Sequence, residues 1–212
     1  MADYTLKCFV ESGNAYKTAL MLQLCHADWQ AEWVDFFKGE TRGDPFRETN
    51  VMGEVPVLID HTKDDLVLSQ SGVILMHLAD RFKKFVPENR TDELEMMRWM
   101  FFDNHKLTSY VATYRFMSRF LQKEGEPETE FLKARAYSAL GVLDGHLTGR
   151  DWVAADQTTL ADISICGYLF WPDHFGVSWD DYPNIKSWLE RIKNIDNWAA
   201  PEELLPSGPT NA

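Results

Sequence analysis

The sequence lacks the features that would tie it to a membrane or to nucleic acid. No apolar run approaches the roughly 20 residues that a transmembrane helix needs. The first residues have neither the basic start nor the long apolar core of a signal peptide. Basic residues are in the minority, because 21 lysines and arginines stand against 33 aspartates and glutamates, a net charge of -12. We therefore expect a cytoplasmic protein that binds neither nucleic acid nor membranes.

Cysteine is also scarce. The chain has three cysteines, Cys8, Cys25 and Cys166, which are far apart and never form a Cys-x-x-Cys pair. This odd, dispersed set argues against a disulfide framework, a zinc site and a thioredoxin-type redox centre. The six histidines show no ligand spacing, so we expect no metal cofactor. The cysteines are expected to be buried small hydrophobic residues.

Apolar and aromatic residues, by contrast, are plentiful. Hydrophobic residues make up 45% and aromatic residues 13% of the 212, which is enough to fold a sizeable core. The periodicity changes along the chain, from short mixed elements to sustained helical spacing. We expect a first domain at residues 1–82, a linker at 83–91 and an all-helical domain at 92–212.

The sequence pattern of the first domain predicts an α/β fold in the order β-α-β-α-β-β-α. The predicted elements are strands at 4–10 and 29–37, helices at 15–26, 44–49 and 70–82, and two strands on either side of residues 60–65. The opening β-α-β unit implies that the first two strands are parallel. The expected result is a small mixed sheet covered by helices.

The second domain predicts helices only. They are expected at residues 92–123, 128–147, 159–171 and 183–194. Thr159 and Asp162 fit a capping box at the start of the third of these helices. We interpret that box as structural, stabilising the fold by about 1 kcal/mol.

A proline inside an apolar run marks a special bend at Val55-Pro56. Proline has no amide hydrogen for a sheet, so it belongs at an edge, a strand start or a bend, and a cis peptide is one way to form the bend. The main chain of Val55 would then be available to an extended, peptide-like ligand. Gln70 and Ser71 stand where a helix begins, a place that suits a carboxylate. The alternative is an ordinary strand-turn-strand-helix in which Ser69 or Ser71 is only a cap.

Three short motifs occur in a fixed order in the first domain: Ser12-Gly13-Asn14, Val55-Pro56 and Gln70-Ser71. Together with the helical domain opened by Thr159-x-x-Asp162, this ordered set resembles the cytosolic glutathione S-transferase family over residues 4–198. The serine and the Gln-Ser pair resemble bacterial and zeta-class members. The resemblance implies a thioredoxin-like domain that binds glutathione, a helical domain that supplies the pocket for the second substrate, and a homodimer.

The resemblance assigns the thiol chemistry to the first turn. Ser12 matches the serine that donates a hydrogen bond to the glutathione sulfur, and Asn14 assists from the same turn. A hydroxyl donor and a helix N-terminus both favour a thiolate. Taken alone, either residue is better explained as a helix cap, and it is the ordered set of motifs that favours the catalytic role.

The resemblance also assigns the rest of the tripeptide. The Val55-Pro56 bend pairs with the cysteinyl part, and Gln70 and Ser71 hold the γ-glutamyl part. Lys38, or else Arg42, meets the glycyl carboxylate. Glu54 stands where many relatives carry lysine or glutamine, and Gln70 stands where many carry glutamate.

The long helix that opens the second domain carries the remaining candidates. Its aromatic residues Phe102, Tyr110 and Tyr114 are expected to be core or dimer contacts, of which some line the pocket for the electrophile. Asp103 is expected to be a solvated carboxylate. The alternative is that it reaches the glutathione of a partner subunit.

We therefore expect an enzyme of detoxification, a glutathione transferase that activates the glutathione thiol for attack on an electrophile. At the same site, a glutathione-dependent isomerase of the maleylacetoacetate isomerase type or a disulfide reductase is the alternative. The turn reads Ser12-Gly13-Asn14 instead of the usual Ser-Ser-Cys of the zeta class, which ranks the isomerase below the transferase. From another class, a non-catalytic ligand-binding or protein-interaction member remains possible.

Overall fold

The computed structural model describes residues 2–209 and divides them into two compact units. The first unit contains the residues up to Lys84 and also those from Ile195 onwards, while the second contains residues 85–194. The sequence, in contrast, assigns everything from residue 92 to the helical domain. The C-terminal segment therefore belongs with the first unit.

A four-stranded mixed sheet forms the base of the first unit. Its strands are β1 (Tyr4–Cys8), β2 (Trp29–Trp33), β3 (Val57–Asp60) and β4 (Leu66–Ser69), in the order β2-β1-β3-β4. Strands β1 and β2 are parallel, whereas β3 is antiparallel to both β1 and β4. The helices of this unit are α1 (Gly13–Leu24), α2 (Asp44–Thr49) and α3 (Ser71–Phe82). This confirms the predicted element order of a thioredoxin-like domain.

Strand β2 is shorter than the predicted 29–37 because aromatic stacking replaces strand pairing at its end. The rings of Phe36 and Phe37 lie 4.8 and 5.8 Å from the ring of Phe9, measured between centroids. Phe9 follows β1 directly, so the three rings cluster where β1 and β2 end. An alternating sequence pattern does not distinguish a strand from such a cluster.

The C-terminal segment belongs to the first unit because it packs against the buried helix α1. Nearly every residue of α1 is buried, so this helix has no solvent-facing side. A further helix, α9 (Pro201–Leu204), packs against it. The hydroxyl of Tyr16 donates to the carbonyl of Ala199 over 2.9 Å, and the amide of Val10 donates to the carbonyl of Pro206 over 3.0 Å. The sequence did not predict α9.

The second unit is helical, as predicted. Its helices are α4 (Arg90–Phe102), α5 (Thr108–Arg115), α6 (Pro127–His146), α7 (Leu160–Ile165) and α8 (Pro183–Lys193). A π-helical segment, Asp103–Leu107, joins α4 to α5, and a second one, Phe116–Phe120, follows α5. Helix α7 ends earlier than predicted and continues as a 3-10 turn. Among the described residues, no helix is both long and apolar enough to cross a bilayer.

The capping box at the start of α7 is confirmed. The fully buried carboxylate of Asp162 accepts hydrogen bonds from the backbone amides of Val153 and Thr159, over 2.9 and 2.8 Å. It also accepts from the Thr159 hydroxyl over 3.0 Å and from the Trp188 indole over 2.9 Å. These bonds tie α7 to α8 and to the loop before α7.

Candidate functional site

The pairing of the strands brings the three sequence motifs to one end of the sheet. Lys7, near the end of β1, pairs with Val57 at the start of β3, and Val57 pairs with Ser69 at the end of β4. The first motif follows β1, the second precedes β3 and the third follows β4. The topology therefore gathers at this end segments that are far apart in the sequence.

A direct contact joins two of the motifs. Asn14 lies in the first turn of α1, and Ser71 is the first residue of α3. The Ser71 hydroxyl is 3.4 Å from the Asn14 side-chain oxygen, although the two residues are 57 positions apart. The starts of α1 and α3 thus lie side by side, as a ligand that contacts both would require.

Ser12 is the N-cap of α1. Its hydroxyl oxygen accepts a hydrogen bond from the amide of Ala15 over 3.1 Å, and the residue is only 5% exposed. A hydroxyl also has one O–H to donate, and the cap does not use that donor. The first turn of α1 contains no acidic residue, so no side chain there offsets the positive end of the helix dipole. Both features favour an anion next to Ser12.

The Val55-Pro56 peptide bond is cis, as the sequence suggested. Val55 lies outside β3, and among the described residues it takes part in no backbone–backbone hydrogen bond. Its side chain packs against the buried cluster of Val34, Phe46 and Val57. The side chain is thus anchored in the unit, while the amide and carbonyl of Val55 have no partner in the sheet.

Gln70 occupies the N-cap position of α3 with a backbone φ of 67°. This region is unusual for a residue other than glycine. Its side-chain amide nitrogen lies 3.1 Å from a carboxylate oxygen of Glu54 and 3.1 Å from the sulfur of Met52. The side chains of Gln70 and Glu54 therefore contact each other.

The cations near this bend include one that the sequence analysis missed. A Cβ atom added to Gly53 would lie 3.4 Å from the Nε atom of Arg47, so this guanidinium lies beside the bend. The predicted Lys38 is 85% exposed and pairs with Asp35, with 3.0 Å between its Nζ atom and the carboxylate. Arg42 is exposed and ends a 3-10 turn whose middle residue, Thr41, is buried. In the sequence, the only indication of this role for Arg47 was its position shortly before the Val55-Pro56 bend.

Two of the three predicted electrophile contacts share a cavity. Phe102 and Tyr110 line a cavity of about 190 Å³ in the second unit, together with Lys106 and Arg135. Tyr114 does not line it, because its ring is buried and packs edge-on against Tyr137. Burial also raises the pKa of Tyr114 to about 12.

Asp103 corrects a sequence expectation. Its carboxylate is fully buried, not solvated, and it accepts hydrogen bonds from the hydroxyls of Thr108 and Ser164, each over 2.6 Å. The π-helical segment begins at this residue and changes the helical register there. Because Asp103 is enclosed by its own unit, it is not an accessible carboxylate for a partner's ligand.

The cysteines are far from reactive. All three are buried thiols, in agreement with the sequence. Burial raises the pKa of Cys8 to about 12 and that of Cys25 to about 11, so neither ionises near neutral pH. A thiolate at this site would have to come from a ligand.

Comparisons with known proteins identify the family. The family model of the glutathione S-transferase N-terminal domain matches residues 12–81, and that of the C-terminal domain matches residues 99–196. A solved structure of a possible glutathione S-transferase from Rhodopseudomonas palustris is 32% identical, with a TM-score of 0.85 over 94% of this chain and 90% of that one. The chain therefore belongs to the glutathione S-transferase family.

Two more distant relatives cover nearly the same length. Glutathione S-transferase 1 of Schizosaccharomyces pombe is 24% identical over 91% of this chain and 92% of its own length. A structure of Ure2p in complex with glutathione is 22% identical and has a TM-score of 0.84, over 92% of this chain and 96% of that one. At this identity the likeness to Ure2p shows the fold alone.

Proposed function

We propose that the chain is a cytoplasmic glutathione transferase that holds glutathione at the common end of β1, β3 and β4. The convergence of three distant motifs at this end carries the proposal, because side-chain contacts connect the start of α3 both to Asn14 of α1 and to Glu54, next to Val55. The family membership and the glutathione bound in the Ure2p structure support the choice of ligand.

In this proposal the sulfur of glutathione lies next to Ser12. The serine oxygen accepts from the Ala15 amide, which fixes its position, and its O–H donates to the sulfur. Asn14 assists from the same turn. A donated hydrogen bond and the positive end of α1 both stabilise the thiolate over the thiol, so the nucleophile forms at a lower pH.

The remainder of the tripeptide is held by main-chain groups and by the start of α3. The amide and carbonyl of Val55 pair with the cysteinyl residue in an extended geometry. Gln70, Ser71 and the first amides of the 12-residue helix α3 bind the γ-glutamyl end. A cation, Lys38 or Arg42 from the sequence or Arg47 from the structure, binds the glycyl carboxylate.

The electrophile is assigned to aromatic residues of the second unit. Phe102 and Tyr110 line a cavity, and the neighbouring Lys106 and Arg135 suit an electrophile that carries or develops negative charge. Tyr114, which is buried and does not line this cavity, is left out of the proposed pocket. The chemical identity of the electrophile is best approached with a panel of small activated aromatic and unsaturated compounds.

The thiol titration of bound glutathione tests this proposal. In the Ser12→Ala variant we expect the pKa of the bound thiol to rise by roughly one to two pH units, because a hydrogen bond to a charged group is worth about 1.5–3 kcal/mol. Thiolate absorbance as a function of pH measures it in the wild-type and variant complexes. An identical titration in both would remove Ser12 from the chemistry and leave Asn14 as the donor.

Two activities at the same site and one non-catalytic role remain as alternatives. A thiolate beside Ser12 would also serve a glutathione-dependent isomerase or a disulfide reductase, and product analysis with the corresponding substrates distinguishes them. The Ure2p complex supports glutathione binding without specifying transfer. A protein that binds glutathione but leaves its thiol pKa at about 8.5, the value of free cysteine, would be a binding member of the family.

We further propose a homodimer formed through the second unit. Leu94 and Phe101, seven residues apart on one face of α4, are 50% and 68% exposed, and Phe131 and Val142 of α6 are 56% and 51% exposed. Such apolar surface is characteristic of an interface. Light scattering at micromolar concentration should give a dimer for the wild type and a monomer for Phe101→Glu. A monomeric wild type would contradict the proposal.

A further inference from the structure

The γ-glutamyl end of glutathione is an amino-acid headgroup with both a carboxylate and an ammonium. In the proposed function, Ser71 and the first amides of α3 bind the carboxylate. The backbone amides can only donate, and the Ser71 hydroxyl carries no charge, whereas the ammonium needs an acceptor and preferably an anion. One carboxylate considered from the sequence, Asp103, is buried and already accepts two hydroxyl donors. The counter-charge for the ammonium must therefore come from elsewhere.

Glu54 is the carboxylate that the structure brings to the start of α3. Its Oε2 atom lies 3.1 Å from the side-chain nitrogen of Gln70, and both side chains are exposed. Gln70 in turn precedes Ser71, whose hydroxyl contacts Asn14. A ligand headgroup bound at Ser71 would thus lie next to the Gln70–Glu54 pair.

The turn before Glu54 is held firmly. Asn50 is 5% exposed, and its side-chain nitrogen donates to the carbonyl of Glu54 over 2.7 Å, while its side-chain oxygen accepts from the amide of Met52 over 3.2 Å. Gly53 has a φ of 64°, and an added Cβ would lie 2.7 Å from the carbonyl of Thr41, so no other residue fits. Glu54 is therefore presented from a fixed backbone.

We propose that Glu54 accepts the ammonium of the γ-glutamyl residue and thereby selects ligands with an intact α-amino acid headgroup. This inference rests on the proposed glutathione site and adds a specificity-determining residue to it. The carboxylate of Glu54 attracts the ammonium and repels the neighbouring carboxylate of the ligand, so it also fixes which way round the headgroup binds. Gln70 lies between Glu54 and the ligand, and its side-chain amide donates a hydrogen bond to Glu54.

The test compares two ligands with two proteins. The ligands are glutathione and its desamino analogue, γ-glutaryl-cysteinyl-glycine, which lacks only the ammonium. The proteins are the wild type and Glu54→Gln, a variant that removes the charge but keeps an oxygen to accept from Gln70. Titration calorimetry gives the four dissociation constants. Glu88→Gln, an exposed glutamate in the segment before α4, is the matched control for the loss of one negative charge.

We expect the wild type and Glu88→Gln to prefer glutathione by about tenfold, the size of one hydrogen bond to a charged group in a solvent-exposed setting. In Glu54→Gln the preference should fall to within about twofold. An unchanged preference in Glu54→Gln, or equal binding of both ligands by the wild type, overturns the role of Glu54 while leaving the glutathione site intact. Failure of the wild type to bind either ligand overturns the proposed function and this inference with it.

Discussion

Two helix starts in this chain use a hydroxyl cap in different ways. At α7, the Thr159 hydroxyl accepts from the amide of Ala161 over 3.3 Å and also donates to Asp162 over 3.0 Å. At α1, the Ser12 hydroxyl accepts from the amide of Ala15, and no acceptor for its O–H occurs among the described residues. At the start of α7 the cap hydroxyl both accepts and donates within the protein. At the start of α1 the O–H of Ser12 is left to donate to a ligand.

The difference bears on the role proposed for Ser12. At α7, Asp162 accepts from the N-cap amide of Thr159 and places a carboxylate at the positive end of the helix dipole. The first turn of α1 contains no acidic residue that could do the same. Capping is therefore compatible with the catalytic role proposed for Ser12, because the cap uses a lone pair of the hydroxyl oxygen and the proposed role uses its O–H.

The largest expected effect comes from removing the hydrogen bonds of Asp162 at the start of α7. Asp162→Ala removes the acceptor for four hydrogen bonds in a fully buried place, which leaves several donors unsatisfied. We expect a loss of about 3 kcal/mol or more in the free energy of unfolding. Urea denaturation measures it, with the exposed Asp156→Ala as the control. A loss of only about 0.5 kcal/mol would mean that the network contributes little.

The next largest effect separates the two uses of Ser12. Glycine is nearly as good an N-cap as serine, so Ser12→Gly should change the free energy of unfolding by only a few tenths of a kcal/mol. Because the O–H donor is lost, we expect kcat with a model electrophile to fall by about ten- to a hundredfold. Steady-state kinetics and urea denaturation together test this. Full turnover by Ser12→Gly would make the serine a cap only.

A smaller effect is expected when the threonine cap is removed. Thr159→Ala should cost about 1 kcal/mol of unfolding free energy, since it removes the cap but leaves Asp162 bonded to three other donors. Glutathione affinity should stay within about twofold of the wild type, because Thr159 belongs to the second unit. Calorimetry checks the affinity. A large loss of glutathione affinity in Thr159→Ala would show that the start of α7 and the start of α1 are not independent.

The smallest effect on stability is expected for Ser71→Ala. The hydroxyl contact with Asn14 is long at 3.4 Å, so its loss should change the free energy of unfolding by no more than about 0.5 kcal/mol. The dissociation constant of glutathione should nevertheless rise several-fold, since the hydroxyl is proposed to bind the γ-glutamyl end. Unchanged affinity would remove Ser71 from the site.

Local sequence signals predicted most of the first unit. Turn residues, proline placement and alternating polarity gave the order of its elements, and the cis Val55-Pro56 bond was suggested by one residue pair. The capping box of Thr159 and Asp162 was also readable, because both partners lie within four residues. These features depend on neighbours in the sequence, which a single chain displays directly.

Features that depend on distant partners were missed. Asp103 has an ordinary place on an amphipathic helix, and its burial depends on the π-helical segment and on partners that include Ser164, 61 positions away. Likewise, nothing local pairs Glu54 with Gln70 or sets Arg47 beside Gly53. The roles proposed for Ser12, Gln70 and Lys38 remain predictions, since chemistry depends on the bound ligand.

The position of α9 has a consequence for how the protein is made. The first unit includes residues from Ile195 onwards, so it spans both parts of the chain around the second unit. At typical synthesis rates, the roughly 110 residues in between take on the order of ten seconds to emerge. During that interval the apolar surface of α1 lacks its α9 cover. The thioredoxin-like unit is thus begun first on the ribosome and completed last, after the helical unit has been synthesised.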